Sequence, residues 1–245
     1  MNFIRKIVKP RPQEDKELHN ELKKLLKFSP SSINKYKKAF THRSVQMLDK
    51  KGIPINYERL EFLGDSILGS VIAAYLYKKV PKGSEGYLTQ MRSKIVSREH
   101  LNELGKDLNL ISFVKSNIPQ NNIGDNIHGN IFEALIGAIY LDRGYTYCNK
   151  FIYDKVIIPY VDIPKLEGKI TSYKGLIIEW CQKQKKKYDI NTYEDSGNEP
   201  VKHFSVKISI DDVQIAKGRA TSKKKAEEQA SKRVYFTFQK QIENS

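Results

Sequence analysis

Asn56-Tyr57-Glu58-Arg59-Leu60-Glu61-Phe62-Leu63-Gly64-Asp65-Ser66 is the stretch that decides the fold. Glu58, Glu61 and Asp65 are spaced by three and four, so on a helix all three project from one face. Leu60, Leu63 and Ile67 lie away from that face and can pack inward. Like charges at this spacing repel, and each pair costs a bare helix roughly a few tenths of a kcal/mol. Three aligned acids point to a cation between them or to basic partners close by. The plainer alternative is a solvated acidic face paired to Arg59 and to lysines. Gly64 inside the helix costs up to about 1 kcal/mol against Ala, which is tolerable where another backbone or a ligand must come close.

A second segment, Asn130-Ile131-Phe132-Glu133-Ala134-Leu135-Ile136-Gly137-Ala138, is an apolar helix with only two polar positions, Asn130 and Glu133. A lone Glu in such surroundings needs a partner, because burying an unpaired carboxylate is costly. Oxygen ligands drawn from two helices suit Mg²⁺ or Mn²⁺ and not zinc.

Outward from these two helices, apolar residues recur at three and four from Ile33 to Tyr160, and period-two stretches are nearly absent. The region reads as all-helical. Leu18, Leu22, Leu25 and Leu26 predict an amphipathic helix before it, stopped by Ser29-Pro30-Ser31-Ser32. The character changes after Ile163-Pro164-Lys165, a short polar segment ending in Gly168. Ser172 can cap a helix through Ile177, Trp180 and Cys181. Three strand-like runs follow, Asp189 to Tyr193, His203 to Ile210 and Val213 to Lys217, with Asp211-Asp212 fitting a two-residue hairpin turn. A last helix starts near Thr221-Ser222. The fold expected is an all-α domain followed by a small α+β module in the order α-β-β-β-α. The divisions expected are an N-terminal helical extension over 1–30, the helical domain over 31–162, a linker over 163–170 and the module over 171–240.

The 245 residues carry 43 Lys+Arg against 28 Asp+Glu, a net charge of +15. That surplus favours a polyanionic partner, most often nucleic acid. At 39% hydrophobic the chain can bury a core, and no apolar run approaches the ~20 residues that span a bilayer. No membrane association is therefore expected. Met1 to Pro12 are basic without the apolar segment of a secretory leader. Cys148 and Cys181 sit far apart without metal or redox spacing. These features lead to a reduced, cytoplasmic setting as the expectation. His19, His42, His100, His128 and His203 show no ligand spacing, and no nucleotide-cofactor motif is present.

The stretch Tyr57 to Ser66 resembles the signature of the ribonuclease III family. Thr41-His42-Arg43-Ser44, the segment Glu85-Gly86-Tyr87-Leu88-Thr89 to Arg92, and Phe132 to Gly137 are similar to that family's helices. The tail resembles a double-stranded-RNA-binding domain, and the likeness covers about residues 31 to 238. The resemblance implies an all-α endonuclease domain that forms a homodimer, with two active sites across a groove for duplex RNA. It implies that Glu61, Asp65 and Glu133 match the family's metal-binding carboxylates, with Asp65 and Glu133 catalytic, and that Glu58 and Glu85 match further acids near the cleavage groove. It further implies Mg²⁺-assisted hydrolysis, with Mn²⁺ as a substitute, leaving 5′-phosphate and 3′-hydroxyl ends in the processing of ribosomal precursors and structured messengers.

One position departs from the pattern: Asn130 stands where the family has an Asp metal ligand. Asn keeps a carbonyl oxygen for a metal or its water but contributes no charge, so divalent affinity should weaken. Asp125, in the loop before the helix, is a candidate replacement. Two readings remain open at this point: an active endonuclease, and a catalytically weak or inactive duplex-RNA-binding or ribosome-assembly protein on the same scaffold. A DNA nuclease is a third.

In the tail, Ser222-Lys223-Lys224-Lys225 opens a helix whose first-turn cations oppose the helix dipole. Phosphates would relieve that opposition, since the same N-terminus offers free N–H groups. By resemblance, Lys223, Lys224 and Lys225 bridge phosphates, while Glu179 and the loop carrying Asn198 approach minor grooves. Ile178 and Pro200 depart from the Gln and His common at those places.

Overall fold

Two contact-dense units divide the chain after Gly168 in the computed structural model, which describes residues 12–119, 122–167, 172–197 and 201–243. The first unit is helical: α1 (Gln13–Leu26), α2 (Ile33–Ala39), α3 (Glu58–Lys79), α4 (Glu85–Ile95), α5 (Arg98–Asp107), α6 (Ile127–Arg143), α7 (Tyr145–Ile152), α8 (Ile158–Tyr160) and α9 (Ile163–Glu167). A π-helical turn, Tyr153–Ile157, joins α7 to α8. Helix α6 is the hub of the unit. Ile131, Phe132, Ala134, Leu135, Ile136, Ala138 and Ile139 are all buried, so α6 is sunk in the core over most of its circumference, as a central helix must be. It packs chiefly on α3 and α5. Helix α3 has the length and composition of a membrane span, yet Leu60, Leu68, Val71, Ile72 and Leu76 are packed into this core.

Helix α1 belongs to the same core, since Leu22 and Leu26 are buried in it. Each such burial stabilises by roughly 1.5–3 kcal/mol. Ser32 precedes α2 without a side-chain cap bond. The backbone N–H groups of Ser31 and Ser32 instead donate to Asp142 Oδ2 and Oδ1, both at 2.8 Å, so a carboxylate from α6 holds the helix start. The stretch 163–170, expected as a linker, is helical over Ile163–Glu167. Lys94, only 5% exposed, donates from Nζ to the carbonyls of Leu166 (2.8 Å) and Glu167 (3.2 Å). A cation at the C-terminal end of a short helix satisfies carbonyls that no further turn can reach.

The second unit runs α10 (Tyr173–Lys183), β1 (Tyr188–Glu194), β2 (Phe204–Ile210), β3 (Val213–Ala220), α11 (Lys223–Thr237) and α12 (Gln239–Glu243). The strands form an antiparallel sheet in the order β1-β2-β3. Helix α11 packs on β2 and β3, and α10 packs on α11. Val206, Ile208 and Ile210 alternate into a core with Ile177, Trp180, Ala230 and Val234. Ser172 caps α10, accepting the Gly175 N–H at 3.0 Å. Asp211 and Asp212 have φ of 51° and 66°, the two left-handed residues of a tight hairpin turn. The two cysteines are buried and free.

Candidate functional site

Helices α3 and α6 cross where each carries a glycine. A Cβ on Gly64 would lie 1.7 Å from the Glu133 carbonyl oxygen, and one on Gly137 would lie 2.3 Å from that of Leu60. Without side chains at the crossing the two backbones touch, and the acids beside it come together. Glu61 and Asp65 on α3 and Glu133 and Asn130 on α6 line one cleft of about 550 Å³, with Glu58, Phe62 and Arg98.

Burial pushes the Glu133 carboxyl up to about 8, the charges of Asp65 and Glu61 push in the same direction, and Arg98 opposes them. Burial also raises Glu61, again against Arg98. A divalent cation reverses that repulsion, and carboxylate oxygens are the donors a hard cation takes; the residues present fit one. Among the described residues no three His, Cys, Asp or Glu side chains are drawn together into a closed coordination sphere. Asn130 is no neutral spectator. Oriented to satisfy its neighbours, its amide donates from Nδ2 to the Asn126 carbonyl at 3.1 Å and to Glu61 Oε1 at 3.2 Å.

Other sequence candidates fall into two groups. Glu58 lines the cleft but is already engaged: Asn56 Nδ2 donates to its Oε2 at 3.1 Å, and Arg43 lies 3.7 Å from its Oε1. Asn56 Oδ1 also accepts the Glu58 N–H, the first of α3, at 3.1 Å. Glu85 is exposed at the start of α4, accepts from Thr89 Oγ1 at 3.0 Å, and is not among the cleft residues. Asp125 lines a separate cleft with Glu99, Glu103 and His128, so it does not substitute for the missing acid in this structure. His42 is buried, stacks on Tyr57 and accepts the Ser44 N–H, a structural role.

In the second unit, Lys223, Lys224 and Lys225 are exposed in the first turn of α11, whose cap is Ser222 Oγ accepting the Lys225 N–H. Lys223 and Lys202 both lie over the Phe204 ring, at 5.7 and 5.6 Å. Glu179 is exposed on α10 and paired with Lys183 at 3.3 Å. Asn198 lies outside the described residues.

Residues 33–160 match the family model described as Ribonuclease-III-like, and residues 173–235 match the double-stranded RNA binding motif. The chain belongs to the ribonuclease III family. A curated protein named Ribonuclease 3 from Zunongwangia profunda is 64% identical, the match covering 99% of this chain and 100% of the relative. Another of that name from Flavobacterium psychrophilum is 61% identical, with 99% of each chain covered. The solved nuclease domain of ribonuclease III from Campylobacter jejuni is similar at 30% identity and a TM-score of 0.50, over 58% of this chain and 97% of that one.

In this member of the ribonuclease III family, two cleft features were missed from sequence. One is Arg98, whose only sequence signal is a cation just after Ser97, at a helix start where the dipole disfavours it. The other is the Asn130 bond to Glu61, which depends on how two helices meet and has no sequence signal.

Proposed function

We propose that this chain hydrolyses phosphodiesters of double-stranded RNA at the Glu61, Asp65, Glu133 cleft, acting as a homodimer through its nuclease unit and leaving 5′-phosphate and 3′-hydroxyl ends. The observation that carries the reading is the convergence of those three acids at a glycine crossing, within a chain whose C-terminal unit is a duplex-RNA-binding motif.

Glu61, Asp65 and Glu133 are the residues that would hold Mg²⁺, or Mn²⁺ in its place. A cation bound there supplies charge neutralisation at the scissile phosphate and acidifies water. Asn130 fixes one Glu61 oxygen by donating to it. Glu58, tied to Asn56 and Arg43, frames the cleft edge. Water adds to phosphorus opposite the 3′ oxygen, the P–O3′ bond breaks, and that oxygen takes a proton. Lys223, Lys224 and Lys225 hold duplex phosphates, a readout of A-form shape and not of sequence. Ribosomal precursors and structured messengers are substrates of this kind.

The homodimer reading is supported by Phe62 and Tyr77, which are 77% and 74% exposed on α3. A helix of the core that leaves two large aromatics bare, Phe62 at the cleft and Tyr77 near its other end, suits a second copy of the unit as its cover.

The test is end analysis of a cleaved RNA hairpin beside the same hairpin in DNA. Ligatable 5′-phosphates from RNA alone support the reading, and cleavage of both hairpins contradicts it.

A further inference from the structure

Among the described residues Arg98 is the one cation that lines the cleft, and neither the acid signature nor the lysine run of α11 accounts for it. It is the first residue of α5, and Ser97 caps that helix by accepting the His100 N–H. A cation there opposes the helix dipole, so its own helix gains nothing from it. The residue is exposed while lining the cleft with Glu61, Asp65, Asn130 and Glu133. Its charge acts on Glu61 and Glu133 through space, without a hydrogen bond to either carboxylate. An arginine serving only to neutralise acids would close on one of them, because the guanidinium fork and a carboxylate bind best in direct contact. Arg98 keeps its donors for something else.

We propose that Arg98 binds the phosphodiester entering the cleft, donating from its guanidinium to a non-bridging phosphate oxygen at the cleavage point. Four carboxylates line this cleft, and a phosphodiester approaching them meets repulsion that one divalent cation only partly offsets. A planar guanidinium matches phosphate geometry, as a lysine ammonium does not. Charge builds on the non-bridging oxygens as water adds, so a fixed donor is worth more in the transition state than before it. The inference rests on the endonuclease reading above.

The experiment compares the full-length chain with Arg98→Ala and Arg98→Lys under single-turnover conditions at saturating Mg²⁺. The substrates are an RNA hairpin with its natural scissile linkage and the two phosphorothioate diastereomers at that linkage. Mn²⁺ binding and the thermal midpoint are measured alongside. Expected for Arg98→Ala is a rate about 100-fold lower on the natural linkage. The thermal midpoint is unchanged, and Mn²⁺ binding is no weaker. The penalty for sulfur should shrink for one diastereomer only, because the donor that sulfur disturbs is gone. Arg98→Lys should recover part of the rate. Cleavage by Arg98→Ala at the natural rate overturns the proposal. Equal sulfur penalties in wild type and Arg98→Ala also overturn it, making Arg98 a residue that acts on the acids. A hairpin left intact by wild type sinks the endonuclease reading itself, and the inference with it.

Discussion

With its amide oriented to satisfy its neighbours, Asn130 donates from Nδ2 to Glu61 Oε1 across 3.2 Å, and the same nitrogen meets the Asn126 carbonyl at 3.1 Å. Where the family has a carboxylate, this chain has a donor that faces Glu61. Asn130→Asp sets a carboxylate oxygen against Glu61 Oε1 in place of a donor, at a cost of about 1–3 kcal/mol for the lost partner, while the Asn126 carbonyl keeps the Asn130 backbone N–H at 3.1 Å. Expected is a metal-free Asn130→Asp protein less stable than wild type, with a larger rise in thermal midpoint on adding Mg²⁺, since binding to the folded state alone stabilises it. Denaturation scans in EDTA and in Mg²⁺ measure this. An Asn130→Asp protein as stable as wild type in EDTA contradicts it.

Gly64→Ala brings a Cβ to 1.7 Å from the Glu133 carbonyl oxygen, and backbone on both sides cannot yield. The expected loss is at least about 3 kcal/mol in urea denaturation of the nuclease unit. Gly86→Ala on α4, where a Cβ meets nothing within 4 Å, should instead be neutral or gain up to about 1 kcal/mol. Equal effects of the two changes would show that the crossing is not tight.

Much of this site was legible in the sequence, for a physical reason. Helical spacing alone put Glu58, Glu61 and Asp65 on one face, and Glu133 stood out as the lone charge in the apolar segment Asn130 to Ala138. The Asp211-Asp212 turn was equally local, since a two-residue hairpin demands two left-handed residues. What stayed hidden depends on contacts distant in sequence. Asp142 holding Ser31 and Ser32, Lys94 holding the end of α9, and Asn130 turned toward Glu61 each join separate helices. Glu58 was legible as an acid but not as one already bound by Arg43 and Asn56.

Phe62→Ser removes the more exposed of the two bare α3 aromatics. Wild type should sediment at twice the chain mass, and Phe62→Ser should shift toward the single chain with its helical circular dichroism unchanged. A wild-type chain that sediments as a monomer contradicts the homodimer.

Replacing Lys223, Lys224 and Lys225 by Ala removes three exposed cations from one helix turn. Duplex-RNA affinity should fall, and the slope of log affinity against log salt should shrink by about 1 for each lysine on a phosphate. Titrations at several salt concentrations measure it, and an unchanged slope would place the RNA elsewhere.

The most direct measurement is cleavage of an end-labelled RNA hairpin across a Mg²⁺ titration, with Glu133→Gln beside wild type and hairpin binding followed in parallel. Expected is metal-dependent cleavage by wild type, loss of cleavage in Glu133→Gln at every Mg²⁺ concentration, and hairpin binding retained by both. Wild type that binds the hairpin and never cleaves it, or Glu133→Gln that cleaves it normally, would contradict the assignment of this cleft as the nuclease site.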